Sequence, residues 1–147
     1  MNSEPKKILV LRVSSLDGRD PIEEVQKVID KDGYCWFGKY GRPIGIDCFS
    51  KSCSSNIIIA NKDASGYTLY TFKRLEAQRF RPEDGCYPKY YHEFLGRIGT
   101  WIKLENAPHA NFKTSDLIIH STKSSLISAF KGSMSSHFIC ESRSITV

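Results

Sequence analysis

Residues 7–13 (KILVLRV) impose the first constraint on the fold. The run is apolar almost throughout and rich in β-branched side chains, the pattern of a strand buried on both faces. Shortly after it, Asp20-Pro21-Ile22-Glu23 opens a helix. Asp20 can cap, Pro21 suits the first helical position, and Glu23 completes a D-x-x-E capping box. The spacing predicts a helix to about Lys31, with Ile22, Val25, Val28 and Ile29 on one face and Glu23, Glu24, Lys27 and Lys31 on the other. Asp32-Gly33 ends it.

Most of the remaining chain reads as short strands. These are residues 34–37, 56–60 (NIIIA), 67–74 (YTLYTFKR), 99–105 (GTWIKLE) and 136–140, with 115–120 a short strand or turn. A turn at Asp63-Ala64-Ser65-Gly66 precedes YTLYTFKR and suggests a hairpin or meander. In GTWIKLE, Thr100, Ile102 and Leu104 share one side, while Trp101, Lys103 and Glu105 share the other, expected to face solvent or a ligand. Residues 47–55 (DCFSKSCSS) read as a loop, and 124–132 (SSLISAFKG) as a short amphipathic helix. There is no internal repeat and no shift in composition, so residues 1–147 are expected to form one domain. With 147 residues, 40% hydrophobic and 25% charged, the chain can bury a core without disulfide or metal staples. The expected class is α+β: a small, partly open β-barrel of about six strands flanked by two or three helices, because short strands need their edges closed.

The cysteines at 35, 48, 53, 86 and 140 are odd in number and form no CxxC. His92, His109, His120 and His137 are scattered, so no zinc ligand spacing appears and no metal or cofactor is expected. The N-terminal apolar run is too short for a secretory signal, and no apolar stretch reaches membrane-spanning length. The expectation is a soluble cytoplasmic protein with reduced thiols and no membrane partner.

A net charge of +5 favours polyanionic partners, nucleic acid first. Residues 33–45 (GYCWFGKYGRPIG) give that charge a location: Tyr34, Trp36, Phe37 and Tyr40 stand among Lys39, Arg42 and four glycines. Aromatics and cations at a glycine-rich turn suit stacking on a planar ring beside a phosphate. Residues 87–91 (YPKYY) are a second aromatic-basic cluster, and 79–85 (RFRPEDG) read as polar and irregular.

The order of elements, from ILVLRV through a helix, a strand centred on Trp36, TLYTFKR, GTWIKLE and a late helix leading to SHFIC, resembles the PUA-like superfamily, which includes the EVE, YTH and ASCH domains. The resemblance implies a small β-barrel and, in the EVE and YTH branches, an aromatic-walled pocket for a modified base. It matches Trp36 to the aromatic after the first helix and Trp101 to the tryptophan of the later strand. Tyr40 and Tyr90 complete the expected base site from the residues of this chain alone. Lys39, Arg42, Lys73, Arg74, Arg79 and Arg81 form the expected phosphate track around it.

Together these features predict a non-catalytic domain that binds DNA or RNA and holds a base, modified or not, in an aromatic pocket. Two alternatives stand beside it. One is a small protein-binding regulator or inhibitor of a nucleic-acid-processing system, since Tyr, Trp and Arg also build protein interfaces. The other is an ASCH-like small hydrolase, for which Lys39, Thr100 and Glu105 supply the lysine, threonine and acid that branch uses. No nucleophile elbow, phosphate-binding loop or paired-carboxylate motif is present.

Overall fold

The computed structural model describes residues 7–14, 19–45, 53–63, 66–107, 113–132, 135 and 137–142. Strand β1 (Lys7–Ser14) leads to helix α1 (Pro21–Asp32), then β2 (Cys35–Tyr40), β3 (Cys53–Asp63), β4 (Gly66–Gln78), β5 (Ile98–Asn106), β6 (Leu117–Ile119), α2 (Leu126–Gly132) and β7 (His137–Ser142). Short 3-10 turns at Lys89–Glu93 and Leu95–Arg97 precede β5. The expected turn residues 64–65, His109, Cys48, Ser136 and most of the 47–55 loop lie outside the described residues.

Helix α1 starts and stops where its chemistry dictates. Asp20 Oδ1 accepts from the Ile22 N–H at 2.9 Å and the Glu23 N–H at 3.4 Å, and Pro21 takes the first position. At the other end Gly33, with φ of +87°, donates its N–H to the Ile29 carbonyl at 2.7 Å. Left-handed backbone of this kind is cheap only for glycine.

The strands form one mixed sheet in the order β2-β5-β4-β3-β1-β7-β6, in which β1 and β3 run parallel and the other paired neighbours antiparallel. β1 is interior and covered on both faces, as its apolar run predicts. Leu9 and Leu11 join α1, Phe37, Ile57, Ile59, Ile102 and Leu104 in one core. Ile8 and Val10 join Ile58, Leu126, Phe138 and Cys140 in a second core beneath α2. A third, aromatic cluster fills the outer face of β2 and β5 and contains Trp36, Tyr87, Tyr90, Tyr91 and Trp101.

The α+β class stands as expected. The barrel does not close: among the described residues no ladder joins β2 to β6, so the sheet keeps two edges. His137 on β7 has its pKa lowered by burial and then by the charge of Lys39. Both edges are blunted by local chain. On β2 the Trp36 N–H donates to the Cys86 carbonyl at 2.8 Å. On β6, Ile118 bridges to Ser125.

Strand β2 also outruns its expected end. Gly38 and Lys39, expected in a turn, remain in the strand, because Gly38 lets the overlying segment sit directly on the backbone. A Cβ there would lie 2.7 Å from Ile98 Cδ1 and 3.1 Å from the Tyr91 ring.

Candidate nucleic-acid interface

The segment between β4 and β5 builds the most distinctive surface of the molecule. It is fixed from below by Asp84. One carboxylate oxygen accepts from the Tyr34 hydroxyl at 2.8 Å and the Trp36 indole N–H at 3.3 Å, and the other from the Cys86 N–H at 3.0 Å. Desolvation works against the charged form of Asp84. The hydrogen bonds from Cys86, Tyr34 and Trp36 and the charge of Lys103 outweigh it and hold the carboxyl below its ordinary pKa. Lys103 completes the clamp, with Nζ 4.3 Å from the centre of the Tyr34 ring.

Tyr87 caps the aromatic cluster. Its ring is stacked against Tyr91 at 6.1 Å with an interplanar angle of 14°, and its centroid lies 4.9 Å from that of Trp101 and 5.5 Å from that of His92. Above it opens a cleft of about 450 Å³ lined by Arg81, Pro82, Glu83, Gly85, Tyr87 and His92. That volume lies within the range of about 300–1,000 Å³ usual for small-ligand sites. Phe80, next in sequence to the cleft-lining Arg81, is 81% exposed. Its carbonyl accepts from Gln78 Nε2 at 2.7 Å, which ties the tip to the end of β4. Arg79 and Arg81 flank it, both exposed. Neither guanidinium has a hydrogen-bond or ion-pair partner among the described residues.

The expected base site is built differently from its sequence reading. Trp36 and Trp101 do share one cluster, but they are 5% and 2% exposed and line no described cleft. Trp101 was expected to face solvent or a ligand. Instead the 84–97 segment folds over its face, and Tyr87 and Tyr91 pack against the indole. Tyr90 is buried beneath the Arg19 guanidinium, 5.3 Å from its ring centre. Tyr40 is half-buried, and its hydroxyl, like that of Tyr91, is buried with no partner among the described residues.

The expected phosphate track divides. Lys39 leaves it: at 5% exposure it lies within the protein and donates to the Tyr40 carbonyl at 2.8 Å, and burial lowers its pKa. Lys73 pairs with Glu105 at 3.5 Å, and Arg74 is half-buried. Arg42, Arg79 and Arg81 remain exposed. β2 and β4 both run antiparallel to β5 between them, so Arg42, just beyond β2, and Arg79, just beyond β4, lie at the same end of the sheet. Two strand spacings, about 10 Å, separate those strand ends.

The lysine, threonine and acid of the hydrolase alternative do not converge. Lys39 and Thr100 face each other across β2 and β5. Thr100 Oγ1 accepts from the Ile44 N–H at 2.9 Å. Glu105 is five residues along β5, on the opposite face and about 17 Å away. Among the described residues no group of three or more His, Cys, Asp or Glu is placed to hold a metal. No described helix is long and apolar enough to cross a membrane.

Sequence reasoning missed Phe80, Glu83, Tyr87 and His92. A signal was present for Phe80: one large apolar residue between two arginines in a stretch with no strand or helix period has no core to enter. No family model matches this chain, and no curated protein or solved structure matches it.

Proposed function

We propose that this domain binds single-stranded nucleic acid without catalysis, with Phe80 stacking on an unpaired base, Arg79 holding a flanking phosphate and Arg81 facing the cleft. The observation that carries this reading is Phe80 itself. An aromatic ring 81% exposed, between two arginines with no partner among the described residues and next in sequence to the cleft-lining Arg81, offers a stacking face and a cation at one place. Every base has a π face, and a phosphate lies on either side of it, so this spacing suits a strand rather than a closed duplex. The overall positive charge of +5 and the exposed Arg42 at the same end of the sheet support it. So does the PUA-like resemblance, with Tyr87 in place of the tryptophans as the aromatic wall. A cytoplasmic setting follows from the same proposal.

The test is a fluorescence-anisotropy titration of labelled single-stranded RNA, single-stranded DNA and duplex across salt concentrations. Stacking contributes about 1–3 kcal/mol per base, so Phe80→Ala weakens single-strand binding by about 5- to 150-fold. Replacing Arg79 by alanine reduces the salt slope by about 0.7, the share of one single-strand phosphate contact. Parental affinity in Phe80→Ala, or no single-strand binding even at low salt, overturns the proposal. Capture of one protein partner in place of nucleic acid selects the regulator alternative.

A further inference from the structure

We propose that the cleft beside Phe80 selects guanine among the bases of the strand. This rests on the nucleic-acid reading above and narrows it to one base. The argument begins with Arg81 and Glu83, which both line the cleft two residues apart. They carry opposite charge, yet they form no ion pair with each other, and neither has a hydrogen-bond partner among the described residues. The same cleft is lined by Tyr87, whose ring packs against Tyr91 and Trp101.

An ionised carboxylate only accepts hydrogen bonds, at two adjacent oxygens, and a guanidinium only donates, from a planar fork. A ring that satisfies both groups needs two adjacent donors on one edge and two adjacent acceptors on the next. Guanine has this arrangement: N1–H and the N2 amine point one way, and O6 and N7 the other. Adenine sets its single amine between two acceptors, so a carboxylate aimed at its pairing edge meets the N1 lone pair. Cytosine places an acceptor beside its amine, and uracil and thymine flank one N–H with two carbonyls. Each of these leaves Glu83 facing a lone pair, which a carboxylate tolerates poorly. His92, tilted against Tyr87, adds a donor or acceptor on the remaining wall.

The experiment is competition. A labelled mixed-sequence single strand bound to the full chain is displaced with GMP, AMP, CMP or UMP, and then with IMP, which lacks the N2 amine. GMP is expected to displace the strand at concentrations about 5- to 150-fold lower than the others, the discrimination of one bidentate contact, with IMP falling between. Glu83→Gln replaces one acceptor with a donor at constant shape and is expected to erase the GMP preference while leaving UMP unchanged. Glu83→Ala, checked by its thermal melt, is expected to do the same. Equal displacement by all four nucleotides, or a GMP preference that survives both variants, overturns guanine selection while strand binding stands. No binding of the labelled strand overturns both readings.

Discussion

Replacing Gly99 by alanine is expected to cost far more than one methyl group should. Gly99 needs glycine for space alone: a Cβ built there would lie 2.1 Å from the Gly41 carbonyl oxygen, 2.9 Å from the Pro43 nitrogen and 3.1 Å from the Arg42 carbonyl carbon. All three atoms are backbone, so no side-chain rotation relieves the overlap. Relief requires the 41–43 turn to move by about 1 Å, which in turn pulls on the Gly41 N–H bond to the Arg97 carbonyl. Ordinary overpacking costs about 1–3 kcal/mol, and a clash met only by backbone belongs at the top of that range. At about 3 kcal/mol, Tm falls by roughly 10 °C for a domain of this size. Gly96→Ala is the control, since a Cβ there meets nothing within 4 Å. Its Tm should stay within about 2 °C of the parent. Urea and thermal unfolding followed by the emission of Trp36 and Trp101 reads both variants. A Gly99→Ala protein that melts with its parent refutes the steric argument.

Two further outcomes follow from the titratable groups. The folded state holds Asp84 below its ordinary pKa, so its contribution is present above the unfolded value and is lost as pH falls through the folded one. Asp84→Asn is therefore expected to flatten the fall of Tm below about pH 4, and identical acid profiles in the two proteins refute this. Burial pushes the Cys86 thiol up to about 11 and the Cys140 thiol up to about 12, and lifts Cys35 far above its usual range. At pH 8 iodoacetamide should therefore leave peptides carrying these cysteines unmodified in the native protein and label them fully in denaturant, and equal labelling in both states refutes it.

What the sequence revealed and what it hid divide along a physical line. Period and punctuation are local, so β1, α1 and the alternation of β5 were legible from KILVLRV, DPIE and GTWIKLE. Strand ends were less so. β4 continues to Gln78, four residues past its expected end, because its last residues pair with β5, a neighbour more than twenty positions away. The site was misplaced for the same reason. Alternation puts Trp101 on the face with Lys103 and Glu105, but it cannot show that residues 84–97 return to cover the tryptophan end of that face. Nor can it show that Lys39, charged and set between Gly38 and Tyr40, points inward on the Cys35 and Phe37 side. Both errors concern tertiary cover, which no window along the chain contains. The covering segment, once displaced from the tryptophans to the surface above them, carries the exposed residues that the reading had treated as a polar connection.

The place of β1 between β3 and β7 has a consequence for synthesis. Ile8 pairs with Cys140 and Val10 with Phe138, so β1 waits for β7 before its second edge is filled. At about 5–20 residues per second, a ribosome needs roughly 7–26 s to make the chain between them. During that interval KILVLRV has parallel pairing to β3 at most, and its outer edge is an open template of apolar β-branched residues. Folding of the whole sheet therefore waits until β7 has been made. The cell must protect the nascent chain over those seconds, and a truncation before β7 leaves a species whose exposed strand favours aggregation over function.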